Sequence, residues 1–99
     1  MWKIDYHSLV IDKDLKGLSR SDQKNILDMV DQKLGKDPHA YGEPLRGAFK
    51  GYWRMRVGIY RVIYDIIKDD VIVRVVKAGK RKDDLVYKEL ASRLHKIRS

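Results

Sequence analysis

Polar and apolar residues alternate most regularly between Tyr52 and Val76. In Tyr52-Trp53-Arg54-Met55-Arg56-Val57 every second side chain is apolar or aromatic, and the intervening positions carry both arginines. A strand sends neighbouring side chains to opposite faces, so Trp53, Met55 and Val57 share one face and Tyr52, Arg54 and Arg56 the other. Gly58 marks a turn, because glycine accepts positive φ without steric cost. Tyr60 to Ile67 is rich in β-branched and aromatic residues and predicts a second strand. Asp69-Asp70 predicts a two-residue turn into a third strand, Val71 to Val76. With two-residue loops at both turns, Lys68 faces Val71, Asp65 faces Arg74, and Arg54, Arg56, Arg61, Asp65 and Arg74 fall on one face. The other face then holds Trp53, Met55, Val57, Tyr60, Val62, Tyr64, Ile66, Val71, Val73 and Val75. It is almost wholly apolar and should carry the core, with Trp53, Tyr60 and Tyr64 as packing residues.

Upstream, Trp2, Ile4 and Tyr6 alternate with Lys3, Asp5 and His7, which predicts a short first strand in the same sheet. Ile11, Leu15 and Leu18 recur at helical spacing and predict a helix over about Ser8 to Gly17. Ser19-Arg20-Ser21-Asp22 resembles a capping box. It opens a second helix with the stripe Ile26, Leu27, Val30 and Leu34, closed by Gly35 and Pro38. The short connection makes the two helices an antiparallel hairpin, and its apolar stripes need the apolar sheet face. Residues 35–51 read as a loop. After the third strand, Ala78-Gly79-Lys80-Arg81-Lys82 reads as a basic loop, Asp83 or Asp84 as a cap, and 83–98 as a basic helix with the stripe Val86, Leu90, Leu94 and Ile97. The expected fold is α+β: one domain over 1–99 with a mostly antiparallel four-stranded sheet, an N-terminal helical hairpin on one face and a C-terminal helix.

Composition adds a direction. The net charge is +8, yet residues 1–45 hold 7 Lys/Arg and 8 Asp/Glu, while residues 46–99 hold 15 and 6. The excess positive charge lies in and after the meander, which points to a polyanionic partner such as nucleic acid. With no cysteine in the chain, disulfide scaffolds and thiol chemistry are excluded. No apolar run approaches the roughly 20 residues that span a bilayer, and the first residues lack a signal-peptide pattern, so a cytoplasmic protein is expected. His7, His39 and His95 fall in separate elements, so no metal site is expected.

The order strand, two helices, three-stranded meander, basic loop and helix resembles the RelE/ParE superfamily of toxins from type II toxin–antitoxin systems. The resemblance rests on Leu45-Arg46-Gly47, on Trp53 to Tyr64, and on Gly79-Lys80-Arg81-Lys82 with Tyr87. It implies a ribosome-dependent, metal-independent endoribonuclease that needs no cofactor and cuts mRNA in the A site. It also implies a cognate RelB-like antitoxin, with the ribosome and mRNA as further partners. By position, Arg54, Arg61, Arg81 and Tyr87 match the catalytic set. Arg56, Lys50, Lys80, Lys82 and Tyr52 are the accompanying candidates for RNA binding. The best-known bacterial member carries a lysine where this chain has Tyr52, which leaves Tyr52, Lys50 and Lys80 as candidate bases. The chemistry is coherent: 2′-OH attack on the adjacent phosphate needs alignment, charge stabilisation and proton transfer. Arginine binds phosphate oxygens through a planar, permanently charged fork, and tyrosine can transfer a proton or stack on a base. Two alternatives share the fold: a ParE-like gyrase inhibitor without nuclease activity, and an RNA- or ribosome-binding module without catalysis. Arg74 is expected to be structural, paired with Asp65.

Overall fold

The computed structural model describes residues 1–80 and 85–98. A five-stranded sheet forms its centre, built from β1 (Lys3–Tyr6), β2 (Glu43–Pro44), β3 (Tyr52–Val57), β4 (Tyr60–Ile67) and β5 (Ile72–Lys80). The order across the sheet is β1-β5-β4-β3-β2, with β1 parallel to β5 and the other neighbours antiparallel. Two helical segments and α1 (Arg20–Met29) cover one face, and α2 (Leu85–Arg98) covers the other. The class is the one expected, with a fifth strand added. β2 lies inside the expected 35–51 loop, and it escapes pattern reading because two residues show no alternation.

The meander has the expected register at both turns. Val57 faces Tyr60 and Arg56 faces Arg61, so the first loop holds two residues, with Gly58 at φ 57°. Asp65 faces Arg74, and the two join through both carboxylate oxygens at 3.0 and 2.6 Å. Met55, Val57, Tyr60, Val62, Tyr64, Val73 and Val75 build the main core with Val10, Leu15, Ile26, Val30 and Leu34. One expected core position is corrected. Val71 is exposed with φ 56°, because its N–H closes the turn on the Lys68 carbonyl and pairing starts only at Ile72. This left-handed backbone is uncommon for a β-branched residue.

The helical segments differ in detail from the expected pattern. Ser19 caps α1, its hydroxyl accepting the Asp22 N–H at 3.2 Å. α1 continues into a π-type turn, Val30–Leu34, and the first segment is itself a π-type turn, Val10–Asp14. Its wide ring, closed from Leu15 N–H to the Val10 carbonyl at 2.9 Å, buries Val10 and Leu15 and leaves Ile11 exposed. Val10 thus takes the place expected for Ile11, while Leu15 and Leu18 keep theirs in the core.

β5 carries a bulge. Tyr64 faces Val75, but Ile63 faces Lys77, which leaves Val76 as the extra residue. Simple alternation from Val73 and Val75 would send Lys77 into the main core. The bulge turns it to the α2 side instead, where Val76, Ile63, Tyr52, Leu90 and Leu94 form a second core.

Lys77 and Arg93 are 4% exposed each, and the Asp14 side chain has no accessible surface. Asp14 accepts from Lys77 Nζ at 2.7 Å, from Arg93 Nη1 and Nη2 at 2.7 and 2.9 Å, and from the Ala78 N–H at 3.0 Å. Arg93 Nη1 also donates to the Val76 carbonyl of the bulge at 3.0 Å, and Lys77 to Glu89 at 2.6 Å. Arg93 therefore belongs to a buried ion pair rather than to the basic face expected of the last helix.

Removing one member of such a pair leaves an uncompensated buried charge. Asp14→Ala is expected to cost about 3–5 kcal/mol in urea denaturation, against about 0–1 kcal/mol for Arg74→Ala at its partly exposed pair. Burial pushes the Asp14 carboxyl up, but the bonds from Arg93, Lys77 and Ala78 outweigh it and leave it below 3.8. A depressed native value means that its stabilisation is present above the unfolded value and is lost as pH falls through the native one. Acid titration of the wild type should therefore show a loss of stability below about pH 4 that Asp14→Ala lacks.

Candidate nucleic-acid interface and active site

Alternation along β3 and β4 puts Arg54, Arg56 and Arg61 on the α2 side of the sheet with Tyr52 and Ile63. α2 begins beside them. Its approach is close at Gly79, where a Cβ would stand 2.7 Å from Val86 Cγ2. Gly79 and Lys80 belong to β5, so the expected basic loop is in part strand. Arg81, Lys82 and the two cap candidates, Asp83 or Asp84, lie outside the described residues.

The first turn of α2 delivers Tyr87 to the arginines. Its hydroxyl accepts from Arg54 Nη1 at 3.0 Å, and its ring lies under the Arg61 guanidinium at 4.9 Å and beside Phe49 at 5.5 Å. Arg54 Nη2 donates to Glu43 on β2 at 2.7 Å. Glu43 and Tyr87 together hold the Arg54 guanidinium above the usual arginine range, and Arg54 holds the Glu43 carboxyl below its own. Arg61 Nε is buried and has no hydrogen-bond partner among the described residues. A buried unpaired donor costs about 1–3 kcal/mol, and such exceptions call for a reason.

Three of the four positions matched to the catalytic set, Arg54, Arg61 and Tyr87, thus meet in one cluster drawn from β3, β4 and α2. Arg56 is exposed beside them. Lys50 and Lys80 are exposed at opposite ends of the meander, Lys50 just before β3 and Lys80 opposite Tyr60, so they do not converge on one atom. Tyr52 is corrected: it is 5% exposed and packs in the second core with Ile63, Val76 and Leu90, because α2 covers its face. That burial removes it as an RNA contact. Sequence reading missed Glu43 and Phe49. Glu43 had a signal, as the one carboxylate between Asp37 and the arginines of β3. Phe49 had none, because its contact with Tyr87 is set by α2 docking.

His7 and His39 serve local structure. His7 Nδ1 accepts the Leu9 N–H at 3.1 Å, and the His39 ring stands edge-on to Trp2 and Trp53 at 5.9 and 5.4 Å. Among the described residues no His, Asp and Glu group is arranged as a metal site, and no helix is long and apolar enough to cross a membrane.

A family model described as the ParE toxin of the type II toxin–antitoxin system parDE matches residues 11–85, and the chain belongs to that family. It is a toxin of a toxin–antitoxin system. No curated protein matches the sequence. Among solved structures, a chain of the toxin–antitoxin complex RelBE2 from Mycobacterium tuberculosis is 23% identical with a TM-score of 0.77, over 83% of this chain and 93% of that one. The isolated RelE toxin of E. coli is 22% identical with a TM-score of 0.66, over 95% and 99%. A chain of the archaeal RelE–RelB complex from Pyrococcus horikoshii OT3 is 21% identical with a TM-score of 0.60, over 82% and 96%. At these identities the likeness is one of fold.

Burial assigns Tyr52 to stability. Tyr52→Ala is expected to cost about 3–5 kcal/mol, as other large aromatic truncations do, while Arg56→Ala at the exposed neighbouring position should stay within about 0.5 kcal/mol. Urea titration of both variants reads this directly, and equal stabilities would contradict the assignment.

Proposed function

We propose that this toxin is a ribosome-dependent endoribonuclease that cuts mRNA in the A site. The observation that carries the reading is the cluster of Arg54, Arg61 and Tyr87, which gathers two guanidinium groups around one phenol. A phosphate is the natural ligand for such a group: the guanidinium is planar, always charged and matched to phosphate oxygens. In the proposed reaction the substrate's 2′-OH attacks the adjacent phosphorus and passes its proton to water, which later returns one to Tyr87, and the bond from phosphorus to O5′ breaks. The products are a 2′,3′-cyclic phosphate and a 5′-OH. Arg61 stabilises charge on the phosphoryl oxygens as it develops. Tyr87 donates its proton to the leaving O5′, and the Arg54 N–H stabilises the negative charge left on the phenol oxygen. Arg56, with Lys50 and Lys80 at the two ends of the meander, tracks the RNA backbone. The resemblance gives Arg81 a catalytic role and Lys82 an RNA-binding one, and both lie outside the described residues.

The matching family model supports a second reading, the ParE-like gyrase inhibitor without nuclease activity. Single-turnover cleavage on ribosomes programmed with one A-site codon, beside a pelleting assay, separates the two. Arg61→Ala should keep most ribosome affinity and lose about 10²–10³-fold in the cleavage step. Tyr87→Phe should lose about 10²–10⁴-fold with normal binding. Full activity in both variants, or intact mRNA together with gyrase–DNA cleavage complexes for the wild type, would overturn the nuclease reading.

A toxin of this kind requires a cognate antitoxin. An acidic segment that covers the arginine face, or displaces α2 and takes Tyr87 with it, is the expected inhibitor. Hydrogen exchange with and without the antitoxin should change protection at 54–61 or 85–98, and unchanged protection at both would exclude this mode.

A further inference from the structure

Beside the arginine cluster, at the β2 edge of the sheet, lies an open pocket of about 260 Å³ lined by Ala40, Tyr41, Gly42, Glu43, Arg54 and Arg56. Its wall is fixed to the sheet. Tyr64, fully buried, donates its hydroxyl to the Pro38 carbonyl at 2.6 Å. Gly42 lies so close to that hydroxyl that a Cβ would collide with it, and the same Cβ would stand 3.0 Å from the Arg54 carbonyl. Glu43 and Pro44 pair with Arg54 and Trp53, and the Leu45 N–H donates to the Tyr52 carbonyl at 2.9 Å.

Three chemistries meet on this wall. Tyr41 is a large aromatic side chain left 41% exposed, and Lys33 Nζ sits 5.2 Å from its ring centroid. Glu43 presents a carboxylate held by Arg54 Nη2 through one oxygen. A carboxylate has about four lone-pair sites, so most of its accepting capacity remains. Arg56 adds an exposed cation on the same side of β3 as Arg54.

We propose that this pocket is a nucleobase subsite, which holds an unpaired base of the RNA next to the phosphate at Arg61 and Tyr87. The base stacks on Tyr41, as single-stranded bases stack on aromatic side chains. Glu43 accepts from its Watson–Crick edge. Guanine fits best, because N1–H and the N2 amine are adjacent donors that match the two oxygens of a carboxylate. Uracil fits worst, with one donor between two carbonyls. Arg56 takes the phosphate of the bound nucleotide. The Glu43–Arg54 pair keeps the carboxylate aimed at the pocket, so little ordering remains to be done on binding. The Arg54 guanidinium also holds the Glu43 carboxyl below its ordinary value, which extends its ionised, accepting form towards acid pH. Glu43 and Tyr41 would then make the toxin selective for the sequence around the cut.

The subsite's place beside a scissile phosphate rests on the nuclease reading, but its test does not need cleavage. The probes are the four nucleoside 5′-monophosphates, titrated into the isolated protein and followed by amide chemical shifts. GMP should bind most tightly and shift residues 40–43, 54 and 56. Tyr41→Ala should weaken GMP by roughly five- to a hundredfold, the range for a lost stacking ring, and Tyr41→Phe should bind as the wild type does. Glu43→Gln should bring GMP close to UMP. Shifts confined to Arg61 and Tyr87, four nucleotides bound alike, or a Tyr41→Ala protein that binds normally would each overturn the subsite and leave the nuclease reading standing. GMP bound in the pocket of a protein that leaves ribosomal mRNA intact would keep the subsite and overturn that reading.

Discussion

The Asp14 carboxylate is the joint of this molecule. It lies at the end of the first helical segment, with no accessible surface, and meets two cations and a strand N–H. Those partners come from β5 and α2, so one side chain ties the main-core layer, the sheet and the opposite layer together. Burying three charges carries a large desolvation cost, which only good geometry and complete hydrogen bonding repay. Here the π-type turn aims Asp14, the bulge rotates Lys77 out of the main core, and Arg93 satisfies the carbonyl that the bulge exposes. The two backbone irregularities and the ionic cluster require one another.

The same joint reaches the candidate site. α2 is held at Glu89 and Arg93 by Lys77 and Asp14, and its first turn carries Tyr87 to Arg54 and Arg61. Tyr87 therefore depends on structural bonds that neither Arg54 nor Arg61 makes, while these two arginines sit on strands. In this arrangement the two guanidinium groups belong to the sheet and the phenol to a docked helix.

Period-two alternation made the meander legible in the sequence. It separated Trp53, Met55 and Val57 from Arg54 and Arg56, and with two-residue turns it paired Asp65 with Arg74. The stripe Val86, Leu90, Leu94 and Ile97 was legible for the same reason, as a period near 3.6. What stayed hidden depends on contacts distant in the chain. Arg93 looks like a surface cation unless Asp14 is known to lie under it. Tyr52 looks like a site residue unless α2 is known to cover it. Lys77 could not be assigned a face, because a bulge leaves no mark on alternation. At the site, Arg54, Arg61 and Tyr87 were singled out by position, through the resemblance to the RelE/ParE superfamily, whereas the Glu43 contact needed a two-residue strand too short to show a pattern.

The parallel seam between β1 and β5 has a bearing on how the protein is made. Residues 3–6 have their strand partners at 72–75, and Asp14 has its cations at 77 and 93. Such distant closures form slowly, since loop entropy is spent before the contacts repay it. On a translating ribosome the first strand and the first helical segment must wait for most of the chain to emerge, and Tyr87 joins the arginines only when α2 docks. The cluster of Arg54, Arg61 and Tyr87 is thus assembled late, after the sheet on which the two arginines stand.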